Sequence, residues 1–281
     1  MSKQTSYDKV GLLGVDVDTL GPNEAVAALI DASAPKQPAI YVCKPYVEFL
    51  DRASNDDSLK DLINGAEYVL ADGIALIWAA HYLYAGPRTA IRFFISLACI
   101  VAAPSKLAWP IPGRAGGVNF TLPLLEAAAA AGRKVAIITK PTSAEAEAVI
   151  RVLTQRIPGL NIVLALPGYD PAAQPGKVSA TWTDTTTLKI SNANPDIVLI
   201  GMGFPLQEHL ASHLASQLDH GVMIGEGGTF DYAGFGGTKP KAPRLMQRLG
   251  LEWLWRLGLE PSRFKRQLAI PRFIYKVWRS R

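Results

Sequence analysis

The stretch that most constrains the fold is Pro195-Asp-Ile-Val-Leu-Ile-Gly-Met-Gly-Phe-Pro-Leu-Gln-Glu208. Ile197 to Gly201 is an unbroken apolar run of the kind that lies in a parallel sheet covered on both faces. Gly201 and Gly203 follow, where the backbone can turn sharply and come close to a ligand. Pro205 suits the first turn of a helix, and Gln207 and Glu208 fall in that turn, beside backbone N–H groups that have no intrahelical partner. Strand, glycine elbow and helix N-terminus together are how α/β proteins build sites at the carboxyl ends of strands. A tight turn without a ligand has the same sequence, and Leu206 stands where a dinucleotide fingerprint needs its third glycine. The motif alone leaves both readings open.

The rest of the chain repeats this rhythm. Apolar strand-like runs at Val10–Val17, Ala39–Cys43, Glu67–Ala71, Lys134–Thr139, Asn161–Leu166, Asp196–Gly201 and Val222–Gly225 alternate with helical patterns. The helices include Asn23–Ala32, starts at Pro45 and Ser58, then Leu122–Ala131, Thr142–Arg156, Thr185–Asn192 and Pro205–Leu218. Such alternation predicts an α/β fold, a Rossmann-like and mostly parallel sheet with helices on both faces. Right-handed crossovers then gather three turns on one sheet edge: Cys43-Lys44-Pro45, Ala71-Asp72-Gly73 and Gly201–Gln207. Residues 85–113 break the pattern and read as an insertion.

Within that insertion Phe93–Pro104 is apolar but shorter than the roughly 18 residues that a membrane span requires. Flanked by Arg92 and Lys106, it reads as an interfacial helix or as a buried core helix. The polar start MSKQTSYDKV lacks the apolar core of a signal peptide. Two cysteines, Cys43 and Cys99, give no disulfide framework, so a cytoplasmic location is expected. His209 and His213 are four apart but lack the glutamate of a metalloprotease helix.

Charge is distributed unevenly. Residues 239–281 hold twelve Lys or Arg against Glu252 and Glu260, a balance of +10, whereas residues 1–238 hold 17 basic and 22 acidic side chains, a balance of −5. Trp253, Trp255, Phe264, Phe273, Ile274, Tyr275 and Trp278 are interleaved with the basic residues. That mixture suits an anionic membrane surface or a diphosphate. Nucleic acid is the weaker alternative, and strong salt dependence with DNA would be its sign.

Candidate chemistry lies at strand ends. Asp72, in Leu70-Ala-Asp-Gly-Ile74, is placed to act as a general base or to cap the helix that follows. Asp231, in the glycine-rich Glu226–Gly234 turn, is placed to hold a hydroxyl or the loop itself. Arg114, in Arg114-Ala-Gly-Gly-Val-Asn119, sets a guanidinium before a helix.

Taken in order, six motifs resemble the WecG/TagA/CpsF glycosyltransferase family. They are Ala-Asp72-Gly, Arg114-x-x-Gly117-x-Asn119, Gly201-x-Gly203-x-Pro205-x-Gln207-Glu208, Gly227-Gly-x-Phe230-Asp231, Ala242-Pro243 and the run from Gly250 through Arg256 and Pro261 to Arg263. The resemblance covers roughly Gly11 to Gln267. It implies an inverting transfer, without a metal or other cofactor, from a UDP-sugar donor to a polyprenyl-diphosphate-linked saccharide acceptor. It also implies a core at 1–241 and a membrane-binding, active-site-completing appendage at 242–281, so that the enzyme would sit peripherally on the inner face of the cell membrane. Asp72 matches the proposed general base, Arg114 the motif arginine and Gln207 the site glutamine. Gly201, Gly203, Glu208 and Asp231 fall in the substrate-binding motifs. Arg256, Arg263 and Arg266 match arginines that close over the diphosphate, leaving Arg272, Lys276, Arg279 and Arg281 for lipid.

Three departures bear on substrate choice. Where the family has Thr-x-Asn-Pro, this chain has Val42-Cys43-Lys44-Pro45, and Lys44 reads as a partner for a sugar carboxylate or as a solvated side chain. Asn119 replaces an aspartate, and Lys241 replaces an arginine before Ala-Pro. A non-catalytic nucleotide-sugar or lipid-diphosphate binder of the same fold is the alternative, and turnover after Asp72→Asn separates the two. A nicotinamide oxidoreductase is disfavoured by the missing glycine. A homo-oligomer is left open.

Overall fold

The computed structural model describes residues 8–139, 143–170, 172–174, 177–243, 246, 252–259 and 264–280. The chain opens with a hairpin, β1 (Lys9–Leu12) and β2 (Val15–Asp18), followed by α1 (Pro22–Ala32) and β3 (Ile40–Cys43). Next come α2 (Val47–Ala53), α3 (Asp57–Asn64), β4 (Tyr68–Val69), α4 (Ile74–Tyr84), α5 (Ala90–Ala102) and α6 (Val118–Ala130). β5 (Lys134–Thr139), α7 (Ser143–Arg156), β6 (Asn161–Pro167), α8 (Ala180–Ala193), β7 (Ile197–Gly201), α9 (Leu206–Gln217) and β8 (Val222–Gly225) complete the alternating part. The C-terminal helices are α10 (Glu252–Leu259), α11 (Phe264–Gln267) and α12 (Ala269–Arg279).

Six strands form one sheet in the order β4-β3-β8-β7-β5-β6, every neighbouring pair parallel. The α/β, Rossmann-like expectation therefore holds. β7 is buried along its whole length, as its apolar run demands. One face of the sheet packs Leu124, Leu125 and Leu153 from α6 and α7, and the other packs Ile190, Leu210 and Leu214 from α8 and α9.

Two strand expectations are corrected. Val10–Val17 is not one strand of the main sheet but a separate antiparallel hairpin. Leu13 and Gly14 both have positive φ, 53° and 87°, the two-residue turn whose twist matches a hairpin. The strand at Glu67–Ala71 is reduced to Tyr68–Val69, although Leu70 N–H still donates to Cys43 O at 2.9 Å beyond its end.

The C-terminal helix is built into the core. Ala269, Phe273 and Val277, spaced four apart on one face of α12, are buried in the same cluster as Phe49 and Leu50 of α2 and Trp78 of α4. Arg272 and Lys276 both pair with Asp51 of α2, at 2.7 Å each, and Lys276 also donates to Ser54 Oγ. These two cations are thus committed to the protein, which corrects their assignment to lipid; the helical face they occupy docks the appendage. Arg281 lies outside the described residues. Among the described residues no helix is long and apolar enough to cross a membrane.

Candidate active site

Parallel strands bring the ends of β4, β3, β8 and β7 side by side at one edge, so Asp72, Lys44, Glu226 and Gly203 follow one another along it. A hollow of about 400 Å³ lined by Lys36, Arg133 and His220 opens at the opposite edge, by the amino ends of the strands, and holds none of the candidate residues.

Asp72 is fixed by its backbone. Its N–H donates to Pro45 O at 2.9 Å, and Ala115 N–H donates to Ala71 O at 2.9 Å, so the Arg114–Gly117 segment runs alongside Asp72. A Cβ on Gly116 would collide with the Asp72 carboxylate, so Gly116 allows this approach. The N-cap position itself is not held by Asp72. Gly73, with φ +120°, is the N-cap of α4, and α4 has no side-chain cap. α6, capped by Gly117 at φ +50°, and α9 likewise start without a side-chain cap. Three helix N-termini with this polarity offer N–H groups and a positive dipole end to an anion.

Gln207 and Glu208 are buried, not exposed in the turn. Gln207 Oε1 accepts from Gly203 N–H at 3.0 Å and Gly227 N–H at 2.9 Å, tying the glycine turn after β7 to the one after β8. Gln207 Nε2 donates to Glu208 Oε1 at 2.7 Å. Both groups lie over Gly225, where a Cβ would meet them. Glu208 Oε2 is buried without a hydrogen-bond partner, and burial pushes the carboxyl up to about 7 despite the opposing Gln207 bond and Lys44 charge. Gly203, at φ +82°, needs the freedom of glycine, whereas Gly201 serves close packing against the Phe230 ring and Gly227 O.

Lys44 is neither solvated nor turned to an outside carboxylate. Its Nζ donates to Glu226 Oε1 at 2.8 Å in a fully buried pair and lies 5.0 Å from the Phe120 ring centroid. Glu226 also accepts from Thr121 Oγ1 of α6, at 2.5 Å, and from Thr229 Oγ1, at 3.2 Å. The pair joins β3, α6 and the loop after β8.

The remaining candidates divide. Asp231 accepts from Lys239 Nζ at 2.8 Å and holds its own loop. Asn119 Oδ1 accepts from Lys241 Nζ at 2.8 Å, so the two replaced positions contact each other. Arg114 is half-buried beside the Asp72 segment. Arg266 is exposed on α11 with Nε 3.8 Å from Glu48 Oε2. Arg256 lies in α10, its side chain outside the described part, and Arg263 lies outside the described residues.

Two groups escaped the sequence reading. Tyr46 donates to Glu48 Oε2 at 2.6 Å, and burial, with Glu48 and Asp72 nearby, raises its hydroxyl, opposed by the Arg266 charge. Its neighbourhood links α11 to Asp72. Asp16-Val-Asp18 is an Asp-x-Asp spacing of the sort that can hold a metal, but Asp18 is buried and accepts from Val69 N–H at 2.7 Å, fastening the hairpin to β4. Among the described residues no group of three or more His, Cys, Asp or Glu is placed to hold a metal ion.

The sequence matches the glycosyl transferase WecG/TagA/CpsF family over residues 10–98 and 96–281, almost the whole chain. The chain belongs to this family. It is a glycosyltransferase by that membership. Curated relatives with the same match include the N-acetylglucosaminyldiphosphoundecaprenol N-acetyl-beta-D-mannosaminyltransferases of Staphylococcus aureus strains NCTC 8325 / PS 47, COL and MSSA476. Each is 26% identical over 278 residues, covering 99% of this chain and 95% of the relative. Every motif named above lies in the matched part of this glycosyltransferase.

Proposed function

We propose that the enzyme moves a sugar from a UDP-sugar to a polyprenyl-diphosphate-linked saccharide, with inversion and without a metal, in bacterial surface polysaccharide synthesis. The observation that carries this reading is the Asp72 carboxylate, set against the Gly116 backbone at an edge where α4, α6 and α9 present uncapped N-termini. The lipid-diphosphate acceptor is taken from the names of the Staphylococcus aureus relatives.

Asp72 accepts the proton of the acceptor hydroxyl as that oxygen bonds to the anomeric carbon. The bond from that carbon to the β-phosphate oxygen breaks, and UDP leaves with the electron pair. Attack opposite the leaving group inverts the anomeric centre. The charge that develops on UDP needs N–H donors or guanidinium groups, which the helix N-termini and Arg114, with Arg256, Arg263 and Arg266 of the appendage, are assigned to supply. Gln207 keeps the two glycine turns at a fixed spacing beneath the donor. The basic appendage holds the enzyme peripherally on the inner, anionic face of the membrane, where the acceptor lies.

The test incubates the full-length enzyme with a panel of UDP-sugars and a short-chain lipid-diphosphate acceptor, with and without EDTA. Turnover is expected to survive EDTA. Asp72→Asn is expected to lower the rate by about 10²–10⁴-fold, with donor binding little changed. Wild-type turnover in Asp72→Asn would remove the base assignment, and a strict divalent-metal requirement would remove the metal-free mechanism.

A further inference from the structure

The insertion holds a helix with two unlike faces. On one side of α5, Phe93 is packed edge-on against Trp78 and Tyr82, with ring centroids at 5.6 and 5.3 Å, and Ser96 Oγ accepts from Trp78 Nε1 at 3.0 Å. Arg92 pins the helix start by donating to the carbonyls of His81, Tyr82, Gly86 and Pro87. The helix is therefore rigidly mounted on α4. Its other side carries Ile91, Phe94, Ile95, Ala98 and Val101, spaced along one face, and all are exposed. Ile91 is 74%, Phe94 66% and Ile95 60% accessible. Large apolar side chains contiguous on a rigid face mark a contact surface.

The charge around this face selects its occupant. Between Asp72 and Glu126 the sequence has no acidic residue, and Arg88 and Lys106 flank the two ends of α5, both exposed. The helix is also joined to α12: on its buried side Phe93 meets Trp278 at 4.5 Å between centroids, and before its start Arg88 donates to Ser280 O at 3.2 Å. On α12, Arg279 is exposed and lies over the exposed Tyr275 ring, 5.9 Å from its centroid. An apolar stripe bordered by arginines, lysine and an interfacial tyrosine, with no carboxylate within its own segment, matches an anionic bilayer surface.

We propose that the outer face of α5 inserts into the headgroup boundary of an anionic membrane, as a lipid contact additional to the basic appendage. It rests on the reading that the acceptor is lipid-linked. At 13 residues the helix is too short to span and lies in the plane of the interface. With α5 and α12 joined side by side, insertion of the first orients the second and sets the height of the site edge above the lipid.

The experiment uses sedimentation with vesicles of phosphatidylglycerol and phosphatidylcholine, comparing the full-length enzyme with Phe94→Ser and with the triple variant Ile91→Ser, Phe94→Ser, Ile95→Ser. These side chains are exposed, so unchanged thermal unfolding is expected. Vesicle binding is expected to weaken at least tenfold in the triple variant and part-way in Phe94→Ser, with turnover on a soluble acceptor unchanged. Full vesicle binding by the triple variant would overturn the proposal. So would light scattering that finds the wild type dimeric and the variant monomeric, since the face would then cover a second copy. If the wild type binds vesicles through this face yet transfers no sugar to the soluble acceptor, the lipid contact stands and the catalytic reading fails.

Discussion

Lys44 shows how far a side chain's role depends on what lies opposite it. Its partner Glu226 is 182 positions away, and only the adjacency of β3 and β8 brings them together. Removing one member of a buried pair strands the other charge, so Lys44→Met is expected to cost about 3–5 kcal/mol, read from urea unfolding. A loss below 1 kcal/mol would show that the pair is not a structural bond of this edge. Glu208 presents the opposite case, a carboxyl with one oxygen unpartnered. Its pKa rises from the ordinary 4.5 to about 7, so between those values the folded state keeps a proton that the unfolded chain has lost. Its contribution to stability is complete below pH 4.5 and disappears as pH rises through 7. Glu208→Gln removes that slope: relative to wild type it should gain on the order of 3 kcal/mol between pH 4.5 and 8. Melting curves of both proteins at several pH values check this, and parallel pH dependences would contradict it. The sequence exposed the types and order of these residues. It could not show that Gln207 and Glu208 turn inward, because a helix N-terminus faces solvent or core according to what packs over it.

At the level of elements, the parallel sheet and its helices were legible because apolar runs and helical patterns alternate without ambiguity. The hairpin was not, since Val10–Val17 alternates through a Leu-Gly turn that only a positive φ at Leu13 reveals. Nor was the way in which the segment before α6 meets the end of β4. Gly116 sits against Asp72 there, and its backbone is not in the left-handed region, so an alanine would be tolerated by the chain but not by the carboxylate. Gly116→Ala should therefore displace Asp72 while leaving the fold intact. A misplacement of about 1 Å can cost about 10²-fold in rate, and that loss is expected in turnover with little change in melting temperature. Full activity would mean that Asp72 moves freely and is not positioned by this contact.

For the whole molecule, the charge asymmetry divided the sequence into an acidic body and a basic tail, and that division does not show how the tail is held. The chain's end carries two kinds of residue at different spacings. Ala269, Phe273 and Val277 face inward, whereas Tyr275 and Arg279 face out, and no compositional count separates them. Because Phe273 and Val277 are wholly buried against α2 and α4, and Asp51 is neutralised by Arg272 and Lys276, the tail stabilises the body as well as extending it. Cutting after Pro240 would uncover that apolar surface and leave Asp51 without its two cations. Burial of a phenylalanine alone is worth about 3–5 kcal/mol against alanine, a large share of the roughly 5–15 kcal/mol that holds a folded domain together. The truncated protein is thus expected to melt at a much lower temperature or to aggregate, and its lost activity would report unfolding rather than a missing anchor. Phe273→Ala in the full-length chain tests the same coupling more gently. It should lower the melting temperature of the single unfolding transition, whereas a body that melts unchanged in both variants would establish the appendage as an independent unit.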